Sequence, residues 1–325
     1  MTTIDERPAA PPGVPGGSAV RRGDRIFRAL SSGSGIFLLV IMAAIALFLV
    51  TQALPALREN TANFFTTREW DASGPEPRFG IAALAWGTVV GSILALVLAV
   101  PVAVGIALFI SHYAPRRLAG PLGYVVDLLA AVPSVIYGAW GLLFLVPRLV
   151  PLHRWLNEHL GFVPFFGGQI TNARTLFTVG IVLAIMILPI VAAVTREVFL
   201  QVPRAHEEAA LALGATRWEM IRTAVLPFGR PGIISASMLG LGRALGETIA
   251  VALVLSPAFV INPRILEAGG ITFAQNIVLR FSEADEVGVG ALIASGLVLF
   301  IITLLVNMAA RIVIARRAAF SGASG

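Results

Sequence analysis

Hydrophobic positions gather in six long runs that are separated by polar segments. A helix needs about 20 apolar residues to cross the hydrocarbon core of a bilayer, and each run reaches that length. We therefore predict an all-α polytopic membrane protein with six transmembrane helices. The predicted spans are 35–54, 81–111, 122–147, 175–195, 232–256 and 287–310.

The arginines give this arrangement a direction. All 24 basic residues are arginine; 15 of them fall in segments that alternate as cytoplasmic, eight fall in the opposite loops, and Arg243 lies within a span. Because cytoplasmic segments are enriched in basic residues, both termini are predicted to lie in the cytoplasm. Residues 1–30 are then a disordered or interfacial tail, 31–318 the transmembrane domain and 319–325 a C-terminal tail.

The segment 200–231 is polar and rich in helix-forming residues, although it lies between two apolar runs. Gly214 favours a helix stop or a turn, and Thr216 with Glu219 forms a capping-box pattern for a second helix. We predict two short helices, set at an angle on the cytoplasmic surface. A shaped projection of this kind indicates a partner protein.

Composition excludes several classes of function. The chain has no cysteine, so it has no disulfide or thiolate metal site, and it has no lysine, so it cannot form a standard P-loop for ATP. Any nucleotide-driven step must come from another polypeptide. The net charge of +6 is interpreted as a topology signal, with no nucleic-acid partner expected.

Other polar residues give weaker signals, and no nucleophile–base constellation stands out, so no enzyme activity is predicted. His153 and His159 are expected to be a solvated pair in an external loop, while Asp127 is expected to cap a helix or form a pair. His112 and His206 are expected at the membrane interface.

Arg243 and Glu247 are the strongest candidates for a functional pair, because a charge at the bilayer centre costs roughly 2.5 to 3.5 kcal/mol. In a continuous fifth span their spacing would place both on one helix face, and Gly242 with Gly246 would let another helix approach closely. The pair is either a structural salt bridge or part of a translocation path. Arginine binds oxyanions, and a carboxylate can accept the O–H that phosphate carries and sulfate lacks, so phosphate is weakly favoured.

The cytoplasmic segment resembles the EAA loop of ABC importer permeases. Its matching positions are Glu208, Ala209, Ala210, Gly214, Leu226 and Pro227, with Glu207 and Ala215 beside them, while Ala224 replaces the usual isoleucine. The resemblance implies a type I ABC importer permease fold. It also implies that this loop docks on an ATPase subunit, which would bind ATP with Mg²⁺, while this chain binds no cofactor.

A narrower resemblance is to the permeases of phosphate-specific ABC importers. It rests on GTVVGSILALVLAVPVAVGIALFIS at 87–111, APRRL at 114–118, AAVPSVIYGAWGL at 130–142 and LGLGRALGETIAV at 239–251. It implies a permease subunit of the cytoplasmic (inner) membrane that passes phosphate by Arg243 and Glu247. The implied partners are a second permease (PstA-like), ATPase subunits (PstB-like) and an external phosphate-binding protein (PstS-like).

Several alternatives stay open. Within the family, the sequence PSVIYGAWGL at 133–142 and the two long external loops favour a PstC-type subunit over the sister PstA type. A permease for another oxyanion is a second possibility. Outside it, the chain could be a secondary transporter driven by an ion gradient, or a membrane scaffold that transports nothing.

Overall fold

A computed structural model describes residues 22–321, so the beginning of the predicted N-terminal tail and residues 322–325 lie outside the described part. The described part is mostly helical, which confirms the all-α class. Its helices are α1 (Arg22–Glu59), α2 (Ala82–Leu108), α3 (Arg116–Ala130), α4 (Ser134–Trp140), α5 (Val146–Leu160), α6 (Leu176–Leu200), α7 (Arg204–Ala212), α8 (Arg217–Met220), α9 (Leu226–Leu245), α10 (Ile249–Val254), α11 (Phe273–Arg280) and α12 (Glu286–Ser321).

Short wide-turn segments join several of these helices. Single π-helical turns at Phe109–Tyr113, Gly141–Leu145 and Ile221–Val225 follow α2, α4 and α8. A two-residue antiparallel ribbon pairs β1 (Trp70–Asp71) with β2 (Arg78–Phe79), with Trp70 opposite Phe79.

Six helical stretches are long and apolar enough to cross a membrane, which confirms the predicted number of spans. They are Arg25–Glu59, Ala82–Tyr113, Ser134–Leu160, Leu176–Leu200, Arg217–Leu245 and Glu286–Ile312.

The predicted third span, 122–147, is wrong in its bounds. Residues 116–130 form the separate helix α3, and the candidate span begins only at Ser134. Pro133 is extended, with φ −59° and ψ 138°, and proline also disfavours helix in the residue before it. The helix is therefore interrupted at Pro133. As a consequence Arg148 and Arg154, which were expected in an external loop, lie in α5.

The predicted fifth span, 232–256, is also wrong in its bounds. The helix that covers its first part starts in the polar segment at Arg217 and ends at Leu245. A separate short helix, Ile249–Val254, covers most of the rest. This difference decides the geometry of the candidate site.

The chain divides into two units, one ending at Phe48 and the other beginning at Leu49. In the described part of the first unit, α1 exposes nearly all of its apolar side chains, an exterior that suits lipid. The division of the chain into tail, transmembrane domain and C-terminal tail stays a prediction.

The second unit is built around the packing of α2 on α6, its most extensive helix pair. Ala95, Ala99, Ala103 and Ala107 of α2 recur every four residues and are completely buried. A Cβ added to Gly180 of α6 would lie 2.7 Å from the Cβ of Leu94. Small residues at this spacing let two helix backbones approach closely, as is common inside membranes. The pair α2–α6 is therefore the scaffold on which the other elements rest.

Candidate functional site

Arg243 lies in the last turn of α9, and the helix ends two residues later at Leu245. Gly246, Glu247 and Thr248 form a non-helical break before α10 begins at Ile249. Arg243 and Glu247 therefore do not share one face of a continuous helix, and the prediction that they do is wrong. The physical reason is the glycine at the break, because Gly is the poorest helix former after proline.

The side chain of Glu247 is directed toward α10, the helix that follows the break. Its Oε1 accepts a hydrogen bond of 3.1 Å from the backbone N–H of Ala250, so the carboxylate caps the first turn of α10. The residue is only 8% exposed. Among the ion pairs of the described residues, none joins Glu247 to Arg243.

Arg243 is partly buried, and within residues 22–321 its guanidinium has neither a hydrogen-bond nor an ion-pair partner. On the helix α4, which packs against α10, the hydroxyl of Tyr137 donates to the carbonyl of Leu129 at 2.9 Å. A guanidinium inside a membrane span without a counter-charge is costly, and such groups mark ligand or ion paths. The structure thus leaves the guanidinium of Arg243 without a partner among the described residues.

Two sequence motifs that lie far apart in the chain meet beside this break. A Cβ on Gly138 of α4 would lie 2.6 Å from the Cα of Ala250, and a Cβ on Gly141 would lie 3.0 Å from Val254 Cγ2. The PSVIYGAWGL stretch therefore packs through its glycines against α10, which continues the GRALGET stretch. Tyr137, which the sequence analysis did not single out, enters the site through this contact.

The predicted close approach at Gly242 and Gly246 is not made by any other helix among residues 22–321. No atom lies within 4 Å of an added Cβ on Gly242, and Gly246 meets only the carbonyl oxygen of Gly242, at 3.7 Å. The helix contact is made instead by Gly240, where a Cβ would lie 2.8 Å from Val191 Cγ2. Gly240 is buried, whereas Gly246, the first residue of the break, is exposed.

The cytoplasmic segment has the predicted turn and cap. Helix α7 ends at Ala212, Gly214 has a φ of +84°, and Thr216 begins the next helix. Thr216 Oγ1 accepts from the N–H of Glu219 at 3.3 Å, while Glu219 Oε2 accepts from the N–H of Thr216 at 2.8 Å. The capping box is confirmed.

The second helix of this segment, however, is not a separate short one. From Arg217 to Leu245 the chain is helical over 29 residues, so the cytoplasmic segment continues into the membrane. The π-helical turn Ile221–Val225 lies directly before Pro227, at the point where proline removes a backbone donor. A local π-bulge accommodates the missing hydrogen bond without ending the helix.

The inner face of the segment rests on the α2–α6 scaffold. Met220, Ile221 and Val225 are buried against Phe199 of α6 and Ala107 of α2. Glu207 approaches the end of α2, where its Oε1 lies 3.4 Å from Nε2 of His112, itself almost buried. Glu207, one of the predicted coupling residues, is thus partly engaged inside the chain.

The outer face of the segment is exposed and contains large apolar side chains. Glu208, Ala209, Gly214 and Pro227 are exposed, whereas Ala210, Ala215 and Leu226 are partly buried. Leu213 is 90% exposed and Trp218 is 56% exposed. We call the exposed set Glu208, Ala209, Leu211, Leu213, Gly214 and Trp218 the coupling surface. Leu211 and Leu213 were not singled out in the sequence analysis.

Two other expectations can be compared with the structure. His153 is fully buried, with Nε2 3.3 Å from Thr178 Oγ1 and its ring against Phe177, so the solvated pair with His159 is wrong. It was assigned to a loop because α5 was not recognised as helix. Asp127 Oδ2 lies 3.5 Å from an Nη atom of Arg196, which is a pairing role.

Fold and site together define a multi-pass membrane protein with an unpaired cation at a broken helix and a projecting surface that is continuous with that helix. The family of binding-protein-dependent transport system inner membrane components matches residues 91–319. The chain belongs to this family, which confirms the resemblance seen in the sequence.

Relatives and solved structures agree with that assignment. The phosphate transport system permease protein PstC 2 of Mycobacterium tuberculosis is 49% identical over 316 residues, covering 96% of this chain and 94% of the relative. The PstC protein of Mycobacterium leprae is 47% identical, covering 92% and 96%. A bacterial alginate ABC transporter, solved with a periplasmic protein that holds an alginate pentasaccharide, matches with a TM-score of 0.56 over 90% of this chain at 16% identity. This last likeness shows the type I ABC importer permease fold.

Proposed function

We propose that this chain is the PstC-type permease subunit of an ATP-driven importer that moves inorganic phosphate across the cytoplasmic membrane. The observation that carries the proposal is the unpaired guanidinium of Arg243 at the end of a membrane helix. The buried carboxylate of Glu247 lies in the break that follows this helix end. The names of the mycobacterial relatives support phosphate as the solute and support the PstC type over the PstA type.

The two charged groups have different tasks in this proposal. The planar fork of Arg243 binds two oxygens of the anion, since no group of the described chain competes for it. Glu247 accepts a hydrogen bond from a phosphate O–H, through the lone pairs that the Ala250 N–H leaves free. A solute without an O–H would leave this carboxylate facing another anion. Sulfate is therefore disfavoured at the site.

The coupling surface supports an ATPase partner. Its exposed Leu211, Leu213 and Trp218 are large apolar groups, and exposed groups of this kind are typical of protein interfaces. ATP and Mg²⁺ belong to that partner, because this chain has no lysine for a standard P-loop.

The remaining partners follow the same proposal. A second, PstA-like permease lies beside this chain, and an external PstS-like protein delivers phosphate to it. Both termini are placed in the cytoplasm, on the side of the coupling surface. The exposed glycine Gly246 lies open at the break, where the second permease can complete the path.

The first prediction concerns Arg243. In proteoliposomes that contain the whole complex and the binding protein, R243Q is expected to lower ATP-dependent phosphate uptake by about two orders of magnitude, because it removes the charge that holds the anion. R148Q is the matched control, since Arg148 contacts only the carbonyl and ring of Phe144 in its own helical region. Normal uptake by R243Q would contradict the proposed path. Uptake that needs an ion gradient and no ATP would contradict the importer.

The second prediction separates two roles of Glu247. Glutamine keeps an oxygen that accepts from the Ala250 N–H but loses the charge, whereas alanine loses both. We expect E247Q to transport phosphate at least about tenfold more slowly, with unchanged thermal stability of the complex, while E247A also loses roughly 1 kcal/mol of stability from the lost cap. If E247Q transports at the parent rate, Glu247 is only a helix cap.

The third prediction concerns Gly214, whose φ of +84° is a conformation that costs other residues about 1–2 kcal/mol. An added Cβ would touch nothing, so space is not the obstacle. G214V should therefore reduce the amount of ATPase that co-purifies with the permease, whereas G214N should retain it because Asn tolerates this conformation.

The control for this test is G120V, at an exposed helical glycine of α3 that is likewise free of neighbours. It should bind the ATPase as the parent does. Equal binding by G214V and G214N would show that the turn does not shape the coupling surface.

A further inference from the structure

Helix α10 has only six residues, too few to be stable alone, yet it presents Glu247 at its beginning. The last carbonyls of any helix lack partners, and inside a membrane each unsatisfied group costs several kcal/mol. The end of α10 therefore needs donors from elsewhere in the chain.

Arg174 supplies them. Its Nη2 donates to the carbonyls of Leu253 at 3.2 Å and Leu255 at 3.4 Å, and its Nε donates to that of Val254 at 3.4 Å. One guanidinium thus covers three successive carbonyls at the end of α10. A cation at this end also interacts favourably with the helix dipole.

Arg174 is itself fixed to the scaffold. It directly precedes Thr175, which caps α6 by accepting from the N–H of Thr178 at 3.3 Å. Its own carbonyl accepts from the N–H of Ser256, and Gln275 adds another donor to Leu255. The end of α10 is therefore tied to the most deeply buried of the candidate spans.

We infer that Arg174 is a positioning residue for phosphate passage: by clamping the end of α10 to α6, it holds Glu247 in place beside Arg243. This inference rests on the proposed path through those two residues. Arg174 does not touch the anion in this arrangement. It acts through the short helix that lies between it and the site.

The absence of native cysteine allows a direct test in the assembled complex. Val251 of α10 is 2% exposed, so V251C provides a single buried site in this chain, which a small thiol reagent reaches only when α10 opens, once the partner subunits are made cysteine-free. With Arg174 changed to Gln, the labelling rate is expected to rise about tenfold, as for a loss of about 1.4 kcal/mol, because α10 opens more often. ATP-dependent phosphate uptake is expected to fall in the same variant.

The conservative variant R174K serves as the second arm. Lysine keeps the charge but cannot span three carbonyls with a planar fork, so labelling and uptake should lie between those of the parent and of R174Q. If R174Q fails to assemble, R174K carries the test alone. R148Q is the control for the loss of an arginine that contacts a helix carbonyl, and it should leave labelling unchanged.

The outcomes distinguish this inference from the proposed function. Labelling of V251C that stays at the parent rate in R174Q and R174K would overturn the clamp, whatever happens to uptake. Faster labelling together with undiminished uptake would show that the clamp exists but that α10 does not serve the path. That result would contradict the proposed role of Glu247.

Discussion

The arrangement of the site depends on one cation, Arg243, which lies in a membrane helix and has no partner among the described residues. Burying the guanidinium of Arg243 is costly, and within the described chain no hydrogen bond or ion pair offsets the cost. The break at Gly246–Thr248 makes this arrangement possible, because it ends α9 beside the charge and turns the carboxylate of Glu247 toward a different helix. A continuous helix would let the two charges neutralise each other. In the proposed function, the break keeps the cation available to phosphate.

The same helix that ends at this break begins at the segment that is predicted to be cytoplasmic. Arg217–Leu245 is one helical stretch of 29 residues, about 43 Å long at 1.5 Å per residue. Its first turn is fixed by the Thr216–Glu219 capping box next to the coupling surface, and its last turn holds Arg243. A displacement of the surface can therefore reach the charge without passing through a flexible loop.

Much of this arrangement could be predicted from the sequence, and the failures have local causes. The six apolar runs, the turn at Gly214 and the capping box were recognised because each depends on neighbouring residues only. The bounds of the third and fifth spans were not, because apolar composition continues across Pro133 and Gly246 although the helix does not. Long-range contacts were beyond reach as well. Nothing in the sequence pairs Arg174 with residues about eighty positions away, or places His153 in a buried site.

The central claim is that motion of the coupling surface reaches the break through α8 and α9. The most direct measurement is the rate of thiol labelling of G246C, in an otherwise cysteine-free complex, with and without ATP. The account predicts a labelling rate that changes on ATP binding, and a G214V background in which this change is lost. A rate that is the same with and without ATP would contradict it.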